Sequence, residues 1–134
     1  MSSDIDWIRM GTTVATNALL ERKGAKTLLV ITKGFGDLLQ IGNQNRPRIF
    51  DLEIRKPELL YQQVLEVDER VRLRRADDSI PGVVGTTGEE FLILEKPNLQ
   101  QVRNSLEEAK QAGIEAVAVV FLHAYAFPKH EQQI

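Results

Sequence analysis

Two runs constrain this chain more than anything else in it: Thr27-Leu28-Leu29-Val30-Ile31-Thr32 and Ala116-Val117-Ala118-Val119-Val120-Phe121-Leu122 are almost continuously apolar and rich in β-branched residues. A strand with one face in water alternates apolar with polar residues, whereas a strand covered on both faces need not. Both runs therefore read as strands buried in a parallel sheet, and helices must cover them. A helix precedes each. Leu99, Val102, Leu106 and Ala109 recur at helical spacing, with Arg103, Glu107, Glu108 and Lys110 turned to water. Asn98 is placed to cap that helix, and Gly113 to end it in the left-handed region. Upstream, the pattern predicts a helix from about Val14 to Lys23, capped by Thr12 or Thr13 and closed by Gly24. Arg22 and Lys23 would then sit at its negative end. Ile8-Arg9-Met10 reads as a short strand feeding it. Helix–strand pairs repeated in this way predict an α/β fold.

The middle of the chain is less regular. Residues 35–41 read as a short helix and residues 42–48 as a polar loop. Residues 64–73 alternate Val and Leu with charged residues and predict one half-exposed strand, with Val67, Val71 and Leu73 on one face. Arg70, Arg72, Arg74 and Arg75 form its solvent face rather than a binding patch. Residues 76–88, with Pro81 and three glycines, read as a loop or hairpin connection. Pro128 suits the start of a final helix. No internal repeat or low-complexity tract interrupts this order.

Composition narrows the function. Across 134 residues, 43% hydrophobic and 27% charged residues give the balance of a soluble globular chain. Seventeen Lys+Arg against nineteen Asp+Glu leave a net charge of −2, which argues against a nucleic-acid binder. No apolar run approaches the roughly 20 residues of a membrane-crossing helix. The acidic start, Met-Ser-Ser-Asp-Ile-Asp, lacks the basic and apolar regions of a signal peptide, so the expected location is the cytosol. Without cysteine there is no disulfide, thiolate chemistry or cysteine-based zinc site.

Several motifs are candidates for chemistry. Lys33-Gly34-Phe35-Gly36-Asp37-Leu38-Leu39 follows a strand and opens a helix, as a dinucleotide-binding turn would. The fingerprint needs a small residue where Leu39 stands, so a structural left-handed turn is the better reading. There is no P-loop. His130-Glu131 begins like a zinc-protease helix, but its second histidine would fall at Ile134, and no metal site is expected. Gly11-Thr12-Thr13 places backbone N–H groups, hydroxyls and a positive helix end together. That combination suits an anion, although taken alone a simple helix cap is the better reading. His123-Ala124-Tyr125 follows the second apolar run, at the edge where α/β proteins bind ligands; a structural histidine fits there too. Arg46 and Asp51 in the polar loop are either a substrate clamp or a loop-ordering pair.

The stretch from Ile8 to Gly24, Ile8-Arg9-Met10-Gly11-Thr12-Thr13-Val14-Ala15-Thr16-Asn17-Ala18-Leu19-Leu20-Glu21-Arg22-Lys23-Gly24, resembles the characteristic segment of the hydantoinase/oxoprolinase family. The resemblance continues through Thr32-Lys33-Gly34-Phe35, Asp37-Leu38-Leu39, Ile41-Gly42, Gln44-Asn45-Arg46-Pro47, Phe50-Asp51-Leu52 and Val67-Asp68-Glu69-Arg70-Val71. It resumes at Val119-Val120-Phe121-Leu122-His123-Ala124-Tyr125 and at His130-Glu131-Gln132-Gln133. Within the family, Thr86-Thr87-Gly88-Glu89-Glu90 and the His-Glu-Gln-Gln ending are most similar to the eukaryotic 5-oxoprolinase branch.

The resemblance implies ATP-driven opening of 5-oxo-L-proline to L-glutamate in the glutathione cycle, with magnesium and potassium, by phosphoryl transfer to the amide oxygen. It also implies an actin- and sugar-kinase-like amino-terminal lobe and a homodimeric parent enzyme. Sister activities, an ATP-dependent hydantoinase or a ketone carboxylase subunit, share these motifs; a non-catalytic interaction fragment is the other alternative. On this resemblance the substrate- or phosphate-binding residues are Gly11, Thr12, Thr13, Asn17, Arg46, Asp51, His123 and Tyr125. The family's phosphate motif Asp-x-Gly-Gly-Thr-Phe-Thr-Asp and its later phosphate and adenosine motifs are not in the sequence. Residues 1–134 are therefore expected to be one incomplete domain, cut at both ends and inactive alone. Ala124 stands where the family pattern has serine, which removes a hydroxyl from that turn.

Overall fold

A computed structural model describes residues 11–43, 50 and 56–134. Its elements, in chain order, are α1 (Val14–Glu21), β1 (Thr27–Thr32), α2 (Leu38–Ile41), β2 (Tyr61–Val67) and β3 (Arg70–Leu73). They continue with β4 (Val83–Val84), β5 (Glu90–Glu95), α3 (Leu99–Gln111), β6 (Ala116–Val120) and α4 (Lys129–Gln133). The expected strand at Ile8–Arg9–Met10 lies outside the described residues, as do Arg46 and Asp51.

β1 is the centre of a parallel sheet of order β2-β1-β6. Leu28, Leu29, Val30 and Ile31 are all at most 3% exposed, as an uninterrupted apolar strand requires. α3 packs on this sheet. Val102 and Ala109 from the helix join Leu28, Val30, Val67 and Phe121 in one core, with Leu106 and Ile114 against it. Both helix ends follow the sequence. The Asn98 side chain accepts from the Gln101 N–H, and Gly113 takes φ +89°. The Gly113 and Ile114 amides then donate to the Lys110 and Ala109 carbonyls, a Schellman closure that carries Ile114 into the core.

Four expectations are corrected. The run 116–122 is not buried throughout: β6 lies at the sheet edge, and Val117 and Val120 stay 48% and 45% exposed. The described residues cover the central strand before they cover its neighbour. Residues 64–73 are not one strand; β2 ends at Val67, the chain turns through Asp68 and Glu69, and β3 starts a second sheet. β5, absent from the sequence expectations, is the centre of that antiparallel sheet, whose order is β3-β5-β4. Its core is Val71, Phe91, Ala126 and Phe127. Finally, α1 is shorter than expected. Arg22, not Gly24, takes the left-handed position at φ 55°, and its guanidinium donates to the Glu58 carbonyl at 3.1 Å. The helix at 35–41 likewise contracts to the single turn of α2.

The arginines in β3 and just after it hold the following loop. Arg72 forks onto Asp78 at 2.6 and 2.8 Å, and the Arg75 N–H donates to the same carboxylate at 2.6 Å. Arg74 reaches the Ile80 and Asp78 carbonyls and pairs with Glu90. The Arg72 guanidinium, then the Arg75 amide, hold the Asp78 carboxyl well below the usual carboxylate range. A depressed folded value gives stability that is complete above the unfolded value of about 3.9 and is lost as pH falls through the folded value. Asp78→Asn should therefore lower unfolding stability equally at all pH values above about 5, and the gap to wild type should narrow below about 4. Denaturant titrations across that range check this, and a gap that persists unchanged in strong acid contradicts the pairing.

Candidate functional site

The three parallel strands finish together. Thr32 pairs with Val67, and Ile31 with Val120, so the segments after β1, β2 and β6 emerge at one carboxyl edge. That is where open α/β sheets place their ligands.

The segment after β1 turns through Gly34 at φ +87°. Its Gly34 and Gly36 amides donate to Glu66 Oε1 at 2.9 and 3.0 Å. This is the structural turn expected at that motif: its inward amides are held by the chain's own carboxylate. Lys33 pairs with Asp68 at 2.6 Å, and that hydrogen bond raises the lysine's pKa above its ordinary value. Arg70 donates to the Lys33 carbonyl at 2.8 Å and lies 5.0 Å over the Phe35 ring.

Beneath this edge lie three buried polar side chains. Thr32, Glu69 and His130 are 0%, 2% and 3% exposed. Glu69 accepts from the Thr32 hydroxyl and pairs with His130 Nδ1 at 2.7 Å. Thr32 Oγ1 also accepts from the Leu122 N–H at 3.2 Å, so its own hydrogen is free to point at the carboxylate. An ionised Glu69 only accepts, and the Nδ1–H tautomer of His130 is the one that matches it. A charge removed from water is tolerated only with such partners.

The segment after β6 is gripped on several sides. The Phe121 N–H donates to Glu131 at 2.8 Å, and the Thr86 amide and hydroxyl donate to the Ala126 carbonyl at 2.7 and 3.0 Å. A Cβ on Gly85 would stand 2.6 Å from that same carbonyl, so the approach needs glycine. Inside the turn, the Ala126 and Phe127 amides both donate to the His123 carbonyl, and His123 itself sits at φ 63°. Its ring lies 5.7 Å from Phe91 and 6.2 Å from Tyr125, whose side chain is exposed.

His123 and Tyr125 are thus brought together at the carboxyl edge. Gly11, Thr12, Thr13 and Asn17 are all exposed, and α1 buries none of its residues. Thr13 occupies the cap position without making a side-chain capping bond; its hydroxyl oxygen instead accepts from Asn17 Nδ2 at 3.4 Å. Arg46 and Asp51 lie outside the described residues. The sequence does not reveal the Thr32–Glu69–His130 group: a threonine closing an apolar strand and a glutamate inside an alternating run carry no such signal, and the fold alone brings them to His130. Among the described residues, no three His, Asp or Glu side chains form a group that could hold a metal ion. No helix among them is long and apolar enough to cross a membrane.

The family model for the hydantoinase/oxoprolinase N-terminal region matches residues 1–134. The chain belongs to that family. It is 52% identical over 133 residues to a protein named 5-oxoprolinase from Dictyostelium discoideum, covering 92% of this chain and 10% of that protein. It is 53% identical over 137 residues to 5-oxoprolinase 1 of Arabidopsis thaliana, covering 97% of this chain and 10% of that protein. The chain therefore spans about a tenth of the length of these relatives. Its fold matches the crystal structure of the ATP-dependent caprolactamase from Pseudomonas jessenii with a TM-score of 0.61 at 23% identity, covering 92% of this chain and 16% of that one.

Replacing Thr32 by valine keeps the strand shape but strands one Glu69 oxygen and the Leu122 N–H. Unfolding should show a loss of about 1–3 kcal/mol, while Thr32→Ser should stay near wild type.

Proposed function

We propose that this chain is part of the amino-terminal, actin- and sugar-kinase-like lobe of an ATP-hydrolysing 5-oxoprolinase, which opens 5-oxo-L-proline to L-glutamate. The observation that carries this reading is the identity above one half, over nearly the whole chain, to two proteins named 5-oxoprolinase from distant eukaryotes. An unstrained amide is a poor electrophile, and phosphorylation of its oxygen by ATP activates the carbonyl carbon toward attack by water. A parent enzyme using magnesium and potassium, acting in the cytosol in glutathione turnover as a homodimer, belongs to the same proposal.

The part we assign to this segment is contact with the substrate or with phosphate. The first turn of α1 leaves its amides without a side-chain cap from Thr13, so Gly11, Thr12, Thr13 and Asn17 present donors suited to a carboxylate or phosphate. His123 and Tyr125 offer a second contact at the sheet edge, and Arg46 and Asp51 complete the proposed set. Phosphoryl transfer rests mostly on positioning, so groups that only hold the substrate still govern turnover.

The test is a chimaeric enzyme in which this segment replaces its counterpart in the Dictyostelium 5-oxoprolinase. Glutamate formation coupled to ATP hydrolysis is expected with 5-oxo-L-proline. Turnover of a hydantoin or a ketone alone would overturn the substrate assignment, and a folded, inactive chimaera would favour a non-catalytic segment. In the active chimaera, Thr12→Val with Thr13→Val should cut turnover roughly tenfold or more. Its stability should fall by no more than the roughly 0.5–2 kcal/mol of a lost cap. A less stable enzyme with full activity per folded molecule would refute the contact.

A further inference from the structure

The buried Thr32–Glu69–His130 group plays no part in the contacts proposed above, yet it stands directly behind one of them. We propose that Glu69 is a positioning residue that acts through the turn after β6 to present His123 to the substrate; this rests on His123 being a substrate contact.

Glu69 touches the turn by two routes. Its carboxylate draws the Thr32 hydroxyl hydrogen, which leaves the Thr32 oxygen to receive the Leu122 N–H, one residue before His123. Its other oxygen holds His130 at 2.7 Å and so fixes α4, whose Glu131 receives the Phe121 N–H at 2.8 Å. Two successive amides leading into His123 therefore hang on groups that Glu69 orients. The same anchor reaches the far side of the turn, because the His130 ring stands edge-on to Phe127 at 5.3 Å, and Phe127 packs on Phe91, the ring beside His123. His123 needs this support: φ 63° is a left-handed conformation that a non-glycine residue keeps only when its surroundings over-determine it. A buried ionic group adds little stability over a well-packed apolar one, so its value here lies in fixing one geometry.

Glu69→Gln keeps the shape but puts an NH2 where an acceptor is required, so either the Thr32 or the His130 contact must reverse. In the chimaeric enzyme, this variant should raise KM for the cyclic amide roughly tenfold while kcat changes less. His123→Ala alone should raise KM as well, and adding Glu69→Gln to it should change nothing further, since the residue through which Glu69 acts is gone. Should Glu69→Gln fail to fold, Thr32→Val serves in the same cycle, because it removes the acceptor for the Leu122 amide. Additive KM increases in the two backgrounds, or an unmoved KM in a folded variant, would overturn the positioning role. An unaltered KM in His123→Ala would instead remove His123 as a substrate contact, and the positioning proposal with it.

Discussion

A carboxylate buried to 2% exposure cannot be left to itself, and the way Glu69 is satisfied dictates how the parts of this chain meet. The residue falls between the end of β2 and the start of β3, where the chain passes from the parallel sheet to the antiparallel one. Its two partners come from the end of the central strand and from the last helix. One charge thus ties the first strand of the core, the junction of two sheets and the final helix to a common point. Removing any partner would leave a buried polar atom in want of a bond, which is why the group acts as a unit.

The rest of the carboxyl edge follows the same economy. The glycine turn after β1 could have offered two amides to a ligand, but Glu66 takes both. Lys33 is matched by Asp68, and Arg70 is committed to a backbone carbonyl and a ring face. Among the described residues, the turn after β6 offers outside chemistry a histidine held in an unusual backbone conformation and a tyrosine exposed beside it. The edge is therefore rigid where it is internally bonded and open at the turn after β6.

Local signals made part of this visible from sequence alone. β1 and α3 were legible because their information is local: a fully apolar run for one, and an amphipathic repeat with Asn98 and Gly113 at its ends for the other. β6 carried the same apolar signal as β1, but burial depends on position in the sheet, and an edge strand looks like a central one in sequence. The run from 64 to 73 kept its alternation across Asp68 and Glu69, so nothing in its period announced a change of sheet. β5 was not legible because Phe91-Leu92-Ile93-Leu94 is a short apolar run without alternation, whose period does not separate strand from helix. The position of His123 and Tyr125 at the carboxyl edge was legible from their place after an apolar run. The Glu69 group was not, since its members are brought together only by the fold, 37 and 61 residues apart.

The exposed apolar residues bear on the anion reading of α1. Val14, Leu19 and Leu20 are 71%, 56% and 77% exposed, and the helix that carries them is only eight residues long. A helix so short is marginal in water without tertiary packing. An anion site at its first turn depends on a fixed direction for several N–H groups, and that direction is only as firm as the packing of the helix behind it. The proposed contact at Gly11, Thr12 and Thr13 and the covering of Val14, Leu19 and Leu20 are therefore one requirement. In relatives about ten times longer, there is ample chain to provide that cover. His123 differs in kind: its support is internal to the described residues, through Glu69, Thr86 and Phe91. Of the two proposed contacts, one is built in and the other is completed by packing.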